Sequence, residues 1–155
     1  KMKGETKCPF CRVPTRTSNE EVIEGYKKRA EMNDAEAHYN LGCHYNRGTR
    51  GLRQDRDKAI ELWHRAGELG SASANNSIGY AYYFGIGVER DIEKAKHYCE
   101  LAAIGGHLLA RYNLGALEEE EGNMSIALEH HIIAAGCGDN DSLKEIREFY
   151  TNGHA

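Results

Sequence analysis

The chain repeats itself, and that limits what it can fold into more than any other feature. Tyr39-Asn40-Leu41-Gly42, with Ala37 before it and Tyr45 after it, returns as Asn76-Ser77-Ile78-Gly79, flanked by Ala74 and Tyr82. It returns again as Tyr112-Asn113-Leu114-Gly115, preceded by Ala110. The glycines fall 37 and then 36 residues apart. A second run of matching residue types follows each copy: Lys58-Ala59 to Ala66, Lys94-Ala95 to Ala103, and Ile126-Ala127 to Ala135. Glycine comes soon after each of these runs. Self-similarity at such a period marks stacked supersecondary units, here helix, turn, helix, turn.

Glycine inside a helix costs about 1 kcal/mol relative to alanine. Gly42, Gly79 and Gly115 all fall in mid-helix, so close approach of a neighbouring helix is expected to offset the cost at each. Ala59, Ala95 and Ala127 are the complementary small positions on the second helices. Tyr45, Trp63, Tyr82 and Tyr98 are expected to fill the space between helix pairs. Cys99 stands in the slot that Trp63 takes one repeat earlier.

The pattern Ala-x-x-x-Leu-Gly-x-x-Tyr, a glycine-containing loop, Lys-Ala, an aromatic, Ala-Ala and Gly resembles the Sel-1-like repeat, a relative of the tetratricopeptide repeat. The best local match is Gly85-Ile86-Gly87-Val88-Glu89-Arg90-Asp91-Ile92-Glu93-Lys94-Ala95. The resemblance covers residues 34 to 155. It implies an all-α fold, an α/α superhelical solenoid of helix-turn-helix units that binds other proteins, with no catalytic residue. The corresponding organisation is a short irregular tail at 1–17 and a repeat domain at 18–155. That domain divides into a capping helix (18–32), repeat 1 (33–70), repeat 2 (71–106), repeat 3 (107–138) and a partial repeat 4 (139–155).

The tail differs in kind. It holds both prolines, and Cys8-Pro9-Phe10-Cys11-Arg12 resembles the closing zinc knuckle of a RING finger. Two cysteines separated by two residues can reach one tetrahedral Zn²⁺, but a structural site needs four ligands. Cys8 and Cys11 are therefore expected to bind zinc only within a longer parent protein, and this chain by itself is expected to need no cofactor. The chain starts with Lys1 and stops in mid-repeat, which reads as a fragment. The same resemblance offers an alternative role: the substrate-binding part of a RING-type ubiquitin ligase, with a ubiquitin-conjugating enzyme as a further partner.

Residue patterning sets the helix starts and the weak points of the array. Ser18 with Glu21, and Asn33 with Glu36, read as capping boxes. The loop of repeat 3 is four or five residues shorter than the others, so Glu118 to Glu121 should end a helix, either as a solvated face or as an acidic docking patch. Arg47, Arg50, Arg53 and Arg56 are spaced as an anion patch but read more simply as a solvated loop. Leu143, Ile146, Phe149 and Tyr150 have helical spacing, with Asn152-Gly153 closing that helix. Ile146, Phe149 or Tyr150 should be exposed where a following helix would pack.

A net charge of −4 argues against a nucleic-acid groove. No apolar run reaches the length of a membrane span. Five cysteines, an odd number, argue for reduced thiols in a cytoplasmic or other intracellular setting. Cys43, Cys99 and Cys137 read as buried structural residues. His130 and His131 are adjacent on a helix, point about 100° apart and chelate poorly. The expected function is a scaffold holding a peptide or partner protein in the concave groove. By position, Tyr39, Cys43, Asn76, Tyr80, Tyr83 and Tyr112 are the candidate contacts, with the aromatics as anchors.

Overall fold

Residues 18–151 are described in a computed structural model. The 1–17 tail, with Cys8 and Cys11, and Asn152-Gly153 lie outside them. The described residues form eight helices and no strand: α1 (Asn19–Glu31), α2 (Ala35–Arg47), α3 (Arg56–Glu68), α4 (Ala72–Phe84), α5 (Ile92–Ile104), α6 (Leu108–Glu120), α7 (Met124–Gly136) and α8 (Asn140–Thr151). Each helix packs on its neighbours in chain order. The result is an α/α solenoid, as the repeat pattern requires.

The internal glycines set the distance between the helices of each pair. A Cβ added at Gly42 would lie 2.7 Å from the Trp63 indole and 3.1 Å from the Ala59 carbonyl oxygen. At Gly79 it would lie 2.8 Å from Cys99 Sγ and 3.1 Å from the Ala95 carbonyl oxygen. At Gly115 it would meet the His131 ring at 2.5 Å. Trp63, Cys99 and His131 therefore occupy one repeat position, and each presses a side chain into a glycine. The alanines at the start of α3, α5 and α7 (Ala59, Ala95 and Ala127) are fully or almost fully buried beside them.

The core is a chain of small overlapping clusters. Ile60, Trp63 and Ala66 of α3 meet Ala74, Ile78 and Ala81 of α4, with Tyr82 and Tyr98 at the margin. Ala95 and Cys99 of α5 meet Leu114 and Leu117 of α6, and Tyr82 borders this cluster too. Tyr82 stacks on Tyr98, with rings 5.8 Å apart and 7° from parallel. Tyr98 in turn reaches back edge-on to His64 of α3. Burial of about 25 cal/mol per Å² accrues pair by pair in such an array.

The long loops of the first two repeats share one construction, and it explains their sequence pattern. Gly48 and Gly85 end α2 and α4 in the left-handed conformation, which is cheap only for glycine. The amides of Asp55 and Asp91 donate to the carbonyls of Tyr45 and Tyr82. The Asp55 and Asp91 carboxylates then cap α3 and α5. Lys58 lies 4.5 Å over the Tyr45 ring, and Lys94 lies 5.3 Å over the Tyr82 ring. The third repeat drops this loop and turns within three residues, 121–123.

Three expectations need correction. Asn33 is not the cap of α2. It adopts a positive φ of 57° and accepts a hydrogen bond from Arg65, while the extended Asp34 caps the helix. Ser18 and Glu21 do form their capping box. Cys99 is buried, but Cys43 is only half-buried and Cys137 is exposed, because Cys137 falls at the C-cap of α7 and not on its packed face. On α8, Tyr150 is 58% exposed, as expected of a helix that presents its next face to solvent.

Two glycine substitutions should move stability in opposite directions. Gly79→Ala drives a methyl group into Cys99 and the α5 backbone and should cost about 1–3 kcal/mol, as overpacking does. Gly25→Ala, on the exposed face of α1 with open space around it, should stabilise by about 0.5–1 kcal/mol. Urea unfolding followed by circular dichroism measures both; equal effects at the two sites would refute the close-approach account.

Candidate functional site

α4 carries no charged side chain. Its exposed face bears Tyr80 and Phe84, 53% and 54% exposed, with ring centres 4.4 Å apart. Tyr83 meets Phe84 edge-on at 4.6 Å. Contacts at four- and one-residue spacing gather the three rings at the C-terminal end of α4. Exposed large aromatics in a contiguous group are uncommon on a surface that meets only water.

Across from them, α6 supplies Tyr112, Asn113, Ala116 and Leu117. Between the two helices lies an apolar cleft of about 200 Å³, floored by Gly79 and Cys99. It is smaller than the about 300–1,000 Å³ of small-molecule sites and matches a single large side chain. Cys99 offers no chemistry at its base, because burial pushes that thiol up to about 12.

Of the sequence candidates, Tyr80, Tyr83 and Tyr112 line this cleft. Tyr39, Cys43 and Asn76 do not. Tyr39 and Cys43 pack at the margin of the first core cluster, and the Tyr39 carbonyl accepts a hydrogen bond from the Trp63 indole at 3.3 Å. Asn76 is a strut, its side-chain oxygen accepting from Asn113 Nδ2 at 2.8 Å. Phe84, Asn113, Ala116 and Leu117 line the cleft as well and are not among the candidate contacts read from the sequence. Phe84 was the one within reach, as the last residue of an aromatic run four positions after Tyr80.

The acidic run at the end of α6 is neither a free patch nor simply solvated. Lys96 of α5 bridges Glu118 at 2.7 Å and Glu121 at 2.6 Å. Glu120 pairs with Arg90 and accepts a hydrogen bond from the Tyr83 hydroxyl, which therefore holds its proton to higher pH than usual. Glu119 reaches buried His131 of α7 at 3.3 Å. The arginines of the first loop do not converge either; Arg50 donates to Asn19 of α1.

Burial acts to raise the Glu118 carboxyl, but hydrogen bonds from Lys96 and Asn123 outweigh it and hold the group below its usual 4.5. A lowered folded-state value contributes stability above pH 4.5 that is lost as pH falls through the folded value. Lys96→Met should therefore cost about 1–3 kcal/mol at pH 7, less than a fully buried pair. The gap from wild type should narrow below pH 4.5, which denaturant titration across pH will read directly.

Among the described residues no three of His, Cys, Asp and Glu gather as a metal cluster, and no helix is long and apolar enough to cross a membrane.

Residues 35–71 and 72–107 match the Sel1 repeat. The match begins with α2 and does not reach Cys8–Arg12. Over 104 residues the chain is 35% identical to the ERAD-associated E3 ubiquitin-protein ligase component HRD3B of Arabidopsis thaliana, covering 66% of this chain and 16% of that protein. It superposes on the crystal structure of a Sel1 repeat protein from Oxalobacter formigenes with a TM-score of 0.83 at 27% identity, covering 91% of this chain and 58% of the other. The protective antigen c5321 of uropathogenic Escherichia coli, which displays an SLR fold, gives the same TM-score and identity over 92% of this chain and 31% of its own. The chain thus spans about a sixth of that Arabidopsis protein's length.

Proposed function

We propose that this array of Sel1 repeats is a non-catalytic scaffold that takes a protein or peptide partner on the face formed by α2, α4, α6 and α8. The observation that carries the reading is the cleft between α4 and α6, with exposed Tyr80 and Phe84 at its mouth. Rigid aromatic rings on packed helices lose little conformational entropy on binding and serve as anchor contacts. The odd cysteine count and the free Cys43, Cys99 and Cys137 support a reducing intracellular compartment.

A second reading is the substrate-holding part of a ubiquitin ligase. It is favoured by Cys8-Pro9-Phe10-Cys11-Arg12 and by the similarity to the Arabidopsis E3 ubiquitin-protein ligase component. Zinc, and contact with a ubiquitin-conjugating enzyme, would then belong to a longer parent. Elemental analysis of that parent separates the readings: about two zinc ions per chain support a RING domain, and none removes it.

The scaffold reading is tested by selecting binders from a random 12-residue peptide library displayed on phage. Selected peptides should lose at least about tenfold in affinity for the Tyr80→Ala/Phe84→Ala double variant, the effect of losing anchor contacts. Its melting temperature should stay close to that of wild type, since both rings are half exposed. Peptides that bind the double variant unchanged would refute this site.

A further inference from the structure

The face formed by α2, α4, α6 and α8 carries a ladder of side-chain contacts, and its third rung differs from the first two. In the first, Tyr39 of α2 meets Ser77 of α4. In the second, Asn76 of α4 meets Asn113 of α6. Counting from the helix starts, Tyr39, Asn76 and Tyr112 hold the fifth place in α2, α4 and α6. Ser77, Asn113 and Glu145 hold the sixth place in α4, α6 and α8. By the same register the third rung places Tyr112 near Glu145, whose charge acts on the phenol, where the others pair neutral groups.

Among the described residues only the buried His131 acts against that charge. Glu145 is half-buried on α8, and its like-charged neighbours are Glu119 of α6, then Glu148 and Asp141 of its own helix. Burial first, and then Glu119, raise its carboxyl above the ordinary value. The nearest lysine in sequence, Lys144, is engaged by Asp141 at 2.5 Å. Among the described residues no lysine or arginine pairs with Glu119 or Glu145. His131 is 2% exposed and neither ring nitrogen makes a hydrogen bond; its Nε2 lies 3.3 Å from Glu119 but off the line of one.

Tyr112 ties this acidic rung to the apolar cleft. It lines the cleft opposite Tyr80 and Tyr83. Its ring lies 5.5 Å from His131, so the cleft and the Glu119–Glu145 pair are separated by about one aromatic ring. We propose that the partner of this face is a peptide segment with a large apolar side chain, seated between Tyr80 and Leu117, and an arginine or lysine directed at Glu119 and Glu145. An extended chain advances about 3.3 Å per residue, so the two side chains fall within about two residues of each other. Arginine suits the position better than lysine, because a planar fork can engage carboxylates while stacking on Tyr112. The inference rests on the scaffold reading and names the chemistry of its partner.

The peptides selected above provide the test, with Glu119→Gln/Glu145→Gln as the second variant. Removing a like-charge pair should leave it at least as stable as wild type, checked by thermal melting. Selected peptides should carry arginine or lysine within two residues of an aromatic or large aliphatic residue. Their affinity, read by fluorescence anisotropy on fluorescein-labelled copies, should fall about tenfold or more in this variant, the scale of a charge-assisted contact. It should also weaken with added salt. Peptides that need Tyr80 and Phe84 but lack a basic residue, or that bind the glutamine variant as tightly, overturn the charge proposal and leave the scaffold reading standing. If no selected peptide depends on Tyr80 and Phe84, the scaffold reading at this site fails, and this inference fails with it.

Discussion

In each helix pair a bulky or polarisable side chain from one helix is pressed into a glycine on the other. The indole of Trp63, the thiol of Cys99 and the imidazole of His131 take this place in turn. A glycine in a helix is unfavourable by itself, and only the contact made possible by its missing side chain offsets the loss. The contact fixes how near the two backbones run and so the position of every other residue on the pair. Because it is made again in each unit, stability is local and repeated, and no central core is needed.

The three occupants of that slot are not equivalent. Trp63 fills its space and donates to the Tyr39 carbonyl. Cys99 is small, and beside it the α4–α6 cleft stays open. His131 brings two buried nitrogens without hydrogen-bond partners. One repeat position thus holds a packed indole in the first repeat, borders a cleft in the second and brings a polar group into the interior of the third. The concentration of features near α4, α6 and α8 follows from this local variation on a common frame.

Charge follows the same division. The acids that end α6 are mostly consumed in holding it to α5 through Lys96 and to the loop before α5 through Arg90. Glu119 instead reaches His131 of α7, and its charge acts on Glu145 of α8. Four glutamates in a row therefore have two roles, assigned by the direction each takes from the helix axis at 100° per residue.

The period of glycines, alanines and aromatics determined the fold class, the order of the six repeat helices and the glycine-to-alanine approach, and capping and apolar spacing added the first and last helices. These follow from local periodicity and from residue types that have one cheap use, such as Gly85 at a left-handed helix end or Asp91 at a helix start. Half of the candidate surface was legible too: Tyr80, Tyr83 and Tyr112 could be set on one face by counting turns. Only the tertiary structure decided that Asn76 is a strut and Tyr39 a packing residue, because the same helical face is covered at one place by a neighbour and open at the next. The place of His131 beside Trp63 and Cys99 was within reach of the sequence, since it follows Ala127 as they follow Ala59 and Ala95, although the shortened third loop hides it from a fixed period. Which glutamates are paired was beyond the sequence, since Lys96 and Glu118 lie on different helices and their meeting depends on how closely those helices pack.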